Sequence, residues 1–198
     1  MKKQLIYAAA TVIGISGGLY LATPRDETPT MPAIDFTQVQ DMREGDMLKL
    51  QLGVDRGSDV AFTHEDGSEI TMAAFAGKYV VLNFWATWCS PCRKEMPHLS
   101  ELQSELGGDD FEVLTIATGR NSPTGISKFF KEIGVTNLPR HQDPQQKLAS
   151  QMAIFGLPIT VLIDPEGREI ARLRGDADWA SDTAKTIIKT LIEAHKAG

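Results

Sequence analysis

The chain has 198 residues, 42% of them hydrophobic and 23% charged, with a formal net charge of −6. That length allows one globular core plus extra segments, and without a basic stripe the chain does not read as a nucleic-acid binder. Its two cysteines lie in one Cys89-Ser90-Pro91-Cys92 unit, too few for a disulfide framework and half of a structural zinc site. The histidines His64, His98, His141 and His195 form no spaced ligand set with that pair. No metal and no other cofactor is expected.

Lys2 and Lys3 precede an apolar stretch over residues 5–23. As a helix it would span about 28 Å, near the thickness of a bilayer core. Positive residues before it predict a cytoplasmic N-terminus and an exported remainder. A cleaved signal peptide has a shorter apolar region with small residues before the cut. Here a cut after Ala22 would place bulky Tyr20 where a small side chain belongs, so residues 1–23 read as an uncleaved anchor. Residues 24–54 read as a linker, rich in Pro, Thr and charge up to about Pro32, followed by an irregular segment with a short helix within 36–50. The main domain is assigned to 55–198.

Within that domain, strands at 60–63 and 69–71 flank Asp66-Gly67, a hairpin signal. Residues 79–86 (YVVLNFWA) form a continuous apolar run, as in a strand covered on both faces. A helix follows over 91–106, with Pro91 in its first turn and Gly107-Gly108 closing its end. Pro97 inside it removes one backbone donor and predicts a kink. A second buried strand is expected at 111–118 and helices at 124–133 and 144–152. Then come a strand at 159–163, a tight turn at 164–167 and a strand at 168–174. The apolar spacing of Trp179, Ile187, Ile188, Leu191 and Ile192 predicts a last helix over 178–196. Strands alternating with helices mean an α/β domain with a central mixed sheet.

A Cys-x-x-Cys pair between a buried strand and a helix start is a chemically loaded arrangement. A helix N-terminus carries about half a positive charge and free backbone donors, and both favour thiolate over thiol. Cys89 is the expected nucleophile. Cys92, one turn later, can resolve the mixed disulfide. The plain alternative is a structural disulfide; the strand before the pair and Trp88 beside it favour the redox reading.

The run Phe84-Trp85-Ala86-Thr87-Trp88-Cys89-Ser90-Pro91-Cys92 resembles thioredoxin-like proteins. Leu157-Pro158 followed by Ile159-Thr160-Val161-Leu162-Ile163-Asp164 is similar to their cis-proline loop and the strand after it. The resemblance implies a thioredoxin fold, a redox-active Cys89–Cys92 disulfide and a cis Leu157-Pro158 bond beside it. That loop would expose backbone on which a substrate strand can dock, with Leu157 and Ile159 offering apolar contact. The resemblance sharpens to the TlpA family of membrane-anchored thioredoxin-like thiol-disulfide oxidoreductases. It is carried by Trp88-Cys89-Ser90-Pro91-Cys92-Arg93-Lys94-Glu95-Met96-Pro97, Gly156-Leu157-Pro158 and Gly175-Asp176-Ala177-Asp178-Trp179-Ala180. The N-terminal hairpin fits, as does the 66-residue separation of Cys92 and Pro158, which leaves room for a central strand-helix insertion. The similarity covers about residues 55–195.

One departure is informative. Six residues before the first cysteine, cytoplasmic thioredoxins bury an aspartate that moves protons for the second cysteine. Here that position is Asn83, which cannot titrate. Glu95 lies three residues after Cys92 on the same helix face, and similar proteins that mature cytochromes c carry an acid there. Two readings of Glu95 stand: the proton group for Cys92, or a solvated helix carboxylate.

The TlpA resemblance implies an inner-membrane protein with a periplasmic catalytic domain. It would reduce protein disulfides in the assembly of the cytochrome oxidase copper site, which must be reduced before copper enters. Its electrons would come from a membrane thiol transporter. A reductant of apocytochrome c is the nearest alternative; that group often has a polar or acidic residue after the cis-proline, where Ile159 is apolar. A copper metallochaperone would need Cys-x-x-x-Cys with a distant His, and the spacing here is one residue short. A peroxidase would need Thr three before a single cysteine, and Thr87 is two before Cys89. An oxidant often has a histidine between its cysteines, and Ser90-Pro91 offers no ionisable group.

Overall fold

A computed structural model describes residues 36–197 of the chain. The expected anchor and the first part of the linker lie outside the described residues. Among those described, no helix is long and apolar enough to cross a membrane.

The organising element is β4 (Tyr79–Trp85), whose seven residues are all buried. It pairs in parallel with β5 (Phe111–Thr118) and antiparallel with β7 (Ile159–Ile163). Beyond β7 comes β8 (Glu169–Arg174), and beyond β5 comes the short β6 (His141–Asp143). The hairpin of β2 (Phe62–Thr63) and β3 (Glu69–Ile70) extends the β6 edge, and β1 (Gln51–Arg56) closes the other edge antiparallel to β8. The strand order is β1-β8-β7-β4-β5-β6-β2-β3.

Side chains alternate across a strand, so each strand feeds two cores. Val81 and Trp85 of β4, Leu162 of β7 and Leu173 of β8 join one cluster. It is filled from α2 (Ser90–Leu106), α3 (Pro123–Ile133) and α5 (Asp182–Ala197). Val80, Leu82 and Phe84, with Ile159, Val161 and Ile163, join the other, under Leu148 of α4 (Lys147–Gln151) and Met152. Asn83 and Thr160 face each other across β4 and β7. By alternation both point to the α2 side. The architecture is the thioredoxin fold, with the β2–β3 hairpin added before it and the β6–α4 unit inserted between α3 and β7.

Several boundaries differ from the sequence reading. The segment assigned to linker and irregular chain holds α1 (Phe36–Met42), a 3-10 turn (Gly45–Lys49) and β1. Gly45, at φ 53°, breaks what the pattern reads as one helix within 36–50. Val39, Met47 and Leu50 are buried in the α2-side core, so this stretch is part of the domain. The expected helix at 144–152 is shortened to α4, because Asp143 turns its carboxylate onto the backbone N–H groups of Lys147 and Ala149, 2.9 Å from each. The last helix starts at Asp182, four residues later than expected. Asp178 to Ser181 form a turn in which the Ser181 hydroxyl donates to the Asp178 carbonyl at 2.7 Å. Helix α2 runs through Pro97 without interruption.

Candidate active site

Cys89 and Cys92 form a disulfide with a Cα–Cα separation of 5.3 Å. Cys89 is the N-cap of the 17-residue α2, and its sulfur accepts the Cys92 backbone N–H at 3.3 Å. The Cys92 N–H and the helix dipole therefore converge on the sulfur expected to attack. In this oxidised state Cys89 is only 5% exposed, so it lies at the surface rather than projecting from it. The exposed neighbour is Trp88, at 70%. The loop before the pair is braced from the far end of β5: Asn121 Oδ1 accepts the Thr87 N–H at 2.8 Å and its hydroxyl at 3.0 Å. Nothing in the local sequence around Asn121 signals that role.

Behind the disulfide lies a buried polar cluster. Glu95 is 1% exposed, which removes the reading of a solvated carboxylate. Oε2 accepts the Asn83 side-chain amide at 3.0 Å. Oε1 accepts the Trp179 indole N–H at 2.7 Å and the Thr160 hydroxyl at 3.4 Å. Asn83 also donates to Thr160 Oγ1 at 2.8 Å, while its own carbonyl oxygen has no partner among the described residues. Burial pushes the Glu95 carboxyl up to about 7, against the pull of the three donors. Those donors are all neutral and leave the burial only partly offset, so the group exchanges its proton near neutral pH, as acid–base work in this range requires. Thr160 and Trp179 are members that the sequence reading did not single out. The Asn83–Thr160 register follows from pairing the two apolar strands, and Trp179 lies in the 175–180 motif.

The Leu157-Pro158 peptide is cis. Phe84 pairs with Ile159, so the chain leaves β4 toward Cys89 and enters β7 from Pro158 at the same end of the sheet. Leu157 is half-buried, and its backbone N–H and C=O have no partner among the described residues. Ile159, expected to offer substrate an apolar contact, is 2% exposed and packs in the core on the opposite face. The strand alternation that turns Thr160 toward Glu95 turns Ile159 away. The exposed apolar side chain of this loop is Phe155, at 80%.

The loop is anchored from beneath by Arg172. The Arg172 Nε and Nη2 donate to the two carboxylate oxygens of Glu169, Nη2 at 2.7 Å. Nη2 also reaches the Met152 carbonyl at 2.9 Å and Nη1 the Ala153 carbonyl at 3.3 Å. Residues three apart on a regular strand face opposite ways, but a bulge in β8 opposite Leu162 and Ile163 adds one residue and brings the pair together.

Chains already known are similar to this one. The AhpC/TSA family profile matches residues 49–170. The thiol-disulfide oxidoreductase ResA of Bacillus subtilis is 34% identical over 125 residues, 62% of this chain and 69% of that one. ResA of Bacillus thuringiensis is 31% identical over 144 residues, 73% and 81% of the two chains. Among solved structures, the exposed lipoprotein thioredoxin Etrx1 of Streptococcus pneumoniae superposes with a TM-score of 0.55 at 28% identity, over 69% of this chain and 98% of that one. With a helix-capping Cys89–Cys92 disulfide on a thioredoxin fold, the chain belongs to the AhpC/TSA family as a thiol-disulfide oxidoreductase of the TlpA/ResA type.

Proposed function

We propose that this oxidoreductase works as a reductant of protein disulfides outside the cytoplasm, tethered to the inner membrane by residues 1–23 and its linker. The reductive direction follows the TlpA resemblance and the absence of an ionisable group in Ser90-Pro91. The observation that supports the proton step is Glu95, a buried carboxyl raised to about 7 that accepts three hydrogen bonds on the helix that presents the cysteines. In the reduced enzyme, the Cys89 thiolate attacks one sulfur of the partner's disulfide, and the partner's other sulfur leaves as a thiolate. Glu95 takes the Cys92 proton. The Cys92 thiolate then attacks Cys89 Sγ, closing the Cys89–Cys92 disulfide and releasing the partner's second sulfur as a thiolate, which takes its proton from solvent. Two electrons have passed from the enzyme dithiol to the partner. A membrane thiol transporter restores the dithiol.

The partner's chain docks on the free backbone of Leu157, with Trp88 and Phe155 offering apolar surface on either side of the reaction. Asn83 supports the site as a neutral partner of Glu95. The substrates are disulfides in proteins that build the copper site of cytochrome oxidase, the role implied by the TlpA resemblance. The test is trapping: Cys92→Ser in native membranes stalls the reaction at the mixed disulfide on Cys89. Capture of a copper-assembly protein supports the proposal, and capture of apocytochrome c replaces it with cytochrome c maturation. A mature N-terminus near residue 23 on the native protein removes the tether.

A further inference from the structure

The bond from Trp179 is the shortest of those Glu95 receives, and the stretch carrying Trp179 is fastened on several sides. The Gly175 N–H donates to the Pro158 carbonyl at 2.9 Å. Lys49 Nζ donates to the Asp176 carbonyl at 3.0 Å, and the Asp178 N–H donates to Asp46 Oδ2 at 3.1 Å. His98 Nδ1 on α2 lies 3.4 Å from the Ala177 carbonyl and 3.6 Å from the Asp178 carboxylate. The indole is thus held in place by the cis-proline residue, the 3-10 turn and α2, and buried Glu95 is its polar target.

An indole N–H can donate and cannot accept. It therefore favours an unprotonated Glu95 Oε1, because the hydroxyl oxygen of a carboxylic acid is a weaker acceptor than its carbonyl oxygen. Oε2 has a different neighbour. The Asn83 side chain can present either its NH2 group or its carbonyl oxygen, and that carbonyl oxygen is buried with no partner among the described residues. With Glu95 ionised, the NH2 group donates to Oε2 and to Thr160. With a proton on Oε2, a half-turn of the amide brings Oδ1 to accept it. The Thr160 hydroxyl, which can give or receive, follows either arrangement.

We propose that Trp179 is a positioning residue that reserves Oε1 of Glu95, so that the proton released by Cys92 is taken up at Oε2 against the Asn83 amide. The inference rests on the reading of Glu95 as proton acceptor for Cys92. The charged groups around it are Asp176 on the same stretch, whose negative charge also favours the protonated carboxyl, and the bracing groups Asp46, Lys49, His98 and Asp178.

The experiment uses the oxidised protein, in which neither cysteine titrates. The Glu95 carboxyl carbon, the Trp179 indole N–H and the Asn83 side-chain amide are followed by NMR against pH, with Glu95→Gln and Trp179→Phe assigning the signals. The three signals should share one midpoint in the wild type. In Trp179→Phe an aromatic ring keeps most of the space filled and the donor is gone, so the Glu95 midpoint should move up the pH scale by about 1. The pH profile of disulfide reduction by the reduced enzyme should move the same way. An unchanged midpoint in a folded Trp179→Phe reduces the residue to packing and overturns the proposal. If that variant does not fold, an indole signal that ignores the wild-type Glu95 titration overturns it instead. An Asn83 amide that does not respond refutes uptake at Oε2. A wild-type pH profile in Glu95→Gln removes the proton role of Glu95 itself, a separate failure read in a separate variant.

Discussion

Glu95→Gln, studied in the oxidised protein, makes a thermodynamic prediction of definite sign. The carboxyl moves from its ordinary 4.5 to about 7 on folding, mainly through burial. A carboxyl raised in this way holds its proton more tightly folded than unfolded. The native state is therefore unpenalised below pH 4.5 and loses stability as pH rises from there to 7. Every tenfold gain in proton affinity corresponds to about 1.36 kcal/mol, so the wild type should carry a penalty of about 3 kcal/mol at pH 8 that is absent at pH 4. Glutamine removes the charge and keeps a carbonyl for the Trp179 N–H. Its NH2 group also gives the unpartnered Asn83 oxygen a donor. The difference in unfolding free energy between variant and wild type should thus move by about 3 kcal/mol in favour of the variant between pH 4 and pH 8. That corresponds to roughly 6–12 °C in midpoint for a domain of this size. Urea unfolding at the two pH values measures it. A difference that does not change with pH would mean that Glu95 is not ionised against burial, and the reasoning would fail.

Three further predictions concern the rest of the site. In the reduced enzyme, alkylation below neutral pH should label Cys89 first, because it caps α2 while Cys92 is shielded behind it; equal labelling would reverse the assigned roles. Arg172→Met should cost about 3–5 kcal/mol in urea unfolding by leaving Glu169 charged and unpaired in the interior, whereas the double variant with Glu169→Leu should recover most of it. Phe155→Ser should lower kcat/KM on a protein disulfide about fivefold, the equivalent of about 1 kcal/mol of lost apolar contact. Its rate on oxidised glutathione should stay at the wild-type value, since a small disulfide has no chain to lay against the ring.

The buried strands and the cysteine helix were legible because each is a long local pattern: an unbroken apolar run for β4, then Pro91 and an amphipathic stretch for α2. What escaped depends on partners distant in sequence. Strand β1 shows only a short alternation at Leu52 and Val54, around Gly53 and before Asp55 and Arg56; pairing with the open edge of β8 is what makes it a strand. Trp179 has helical spacing with Ile187 and Leu191, yet the Asp178–Ser181 turn removes it from the helix and its indole goes to Glu95, 84 residues away. Ile159 follows the proline in sequence as a docking residue should, but the pleat decides its face, and that face is the core. Arg172 and Glu169 look like opposite-facing strand residues until the bulge in β8 is known.

The polar group under the disulfide also explains why position 83 is an amide. The β4–β7 register sets residue 83 against Thr160, and the Glu95 carboxylate comes within 3.0 Å of its side chain. An aspartate there would place two carboxyl groups in contact, where the donors to Glu95 are all neutral. Two such groups cannot both ionise, and their titrations would split into a low and a strongly raised step. One proton group fits in this space, and α2 supplies it from the turn after Cys92. The strand residue must then be neutral, short enough to reach Thr160, and able to face a carboxylate or a carboxylic acid with equal ease. Asparagine meets all three conditions, and serine or alanine would leave Oε2 without a partner in a buried site, where an unmet bond to a charged oxygen costs about 1–3 kcal/mol or more. An acid on the helix with an amide on the strand keeps a single carboxyl in this space, and Asn83 is the side chain that makes that arrangement tolerable in both protonation states of Glu95.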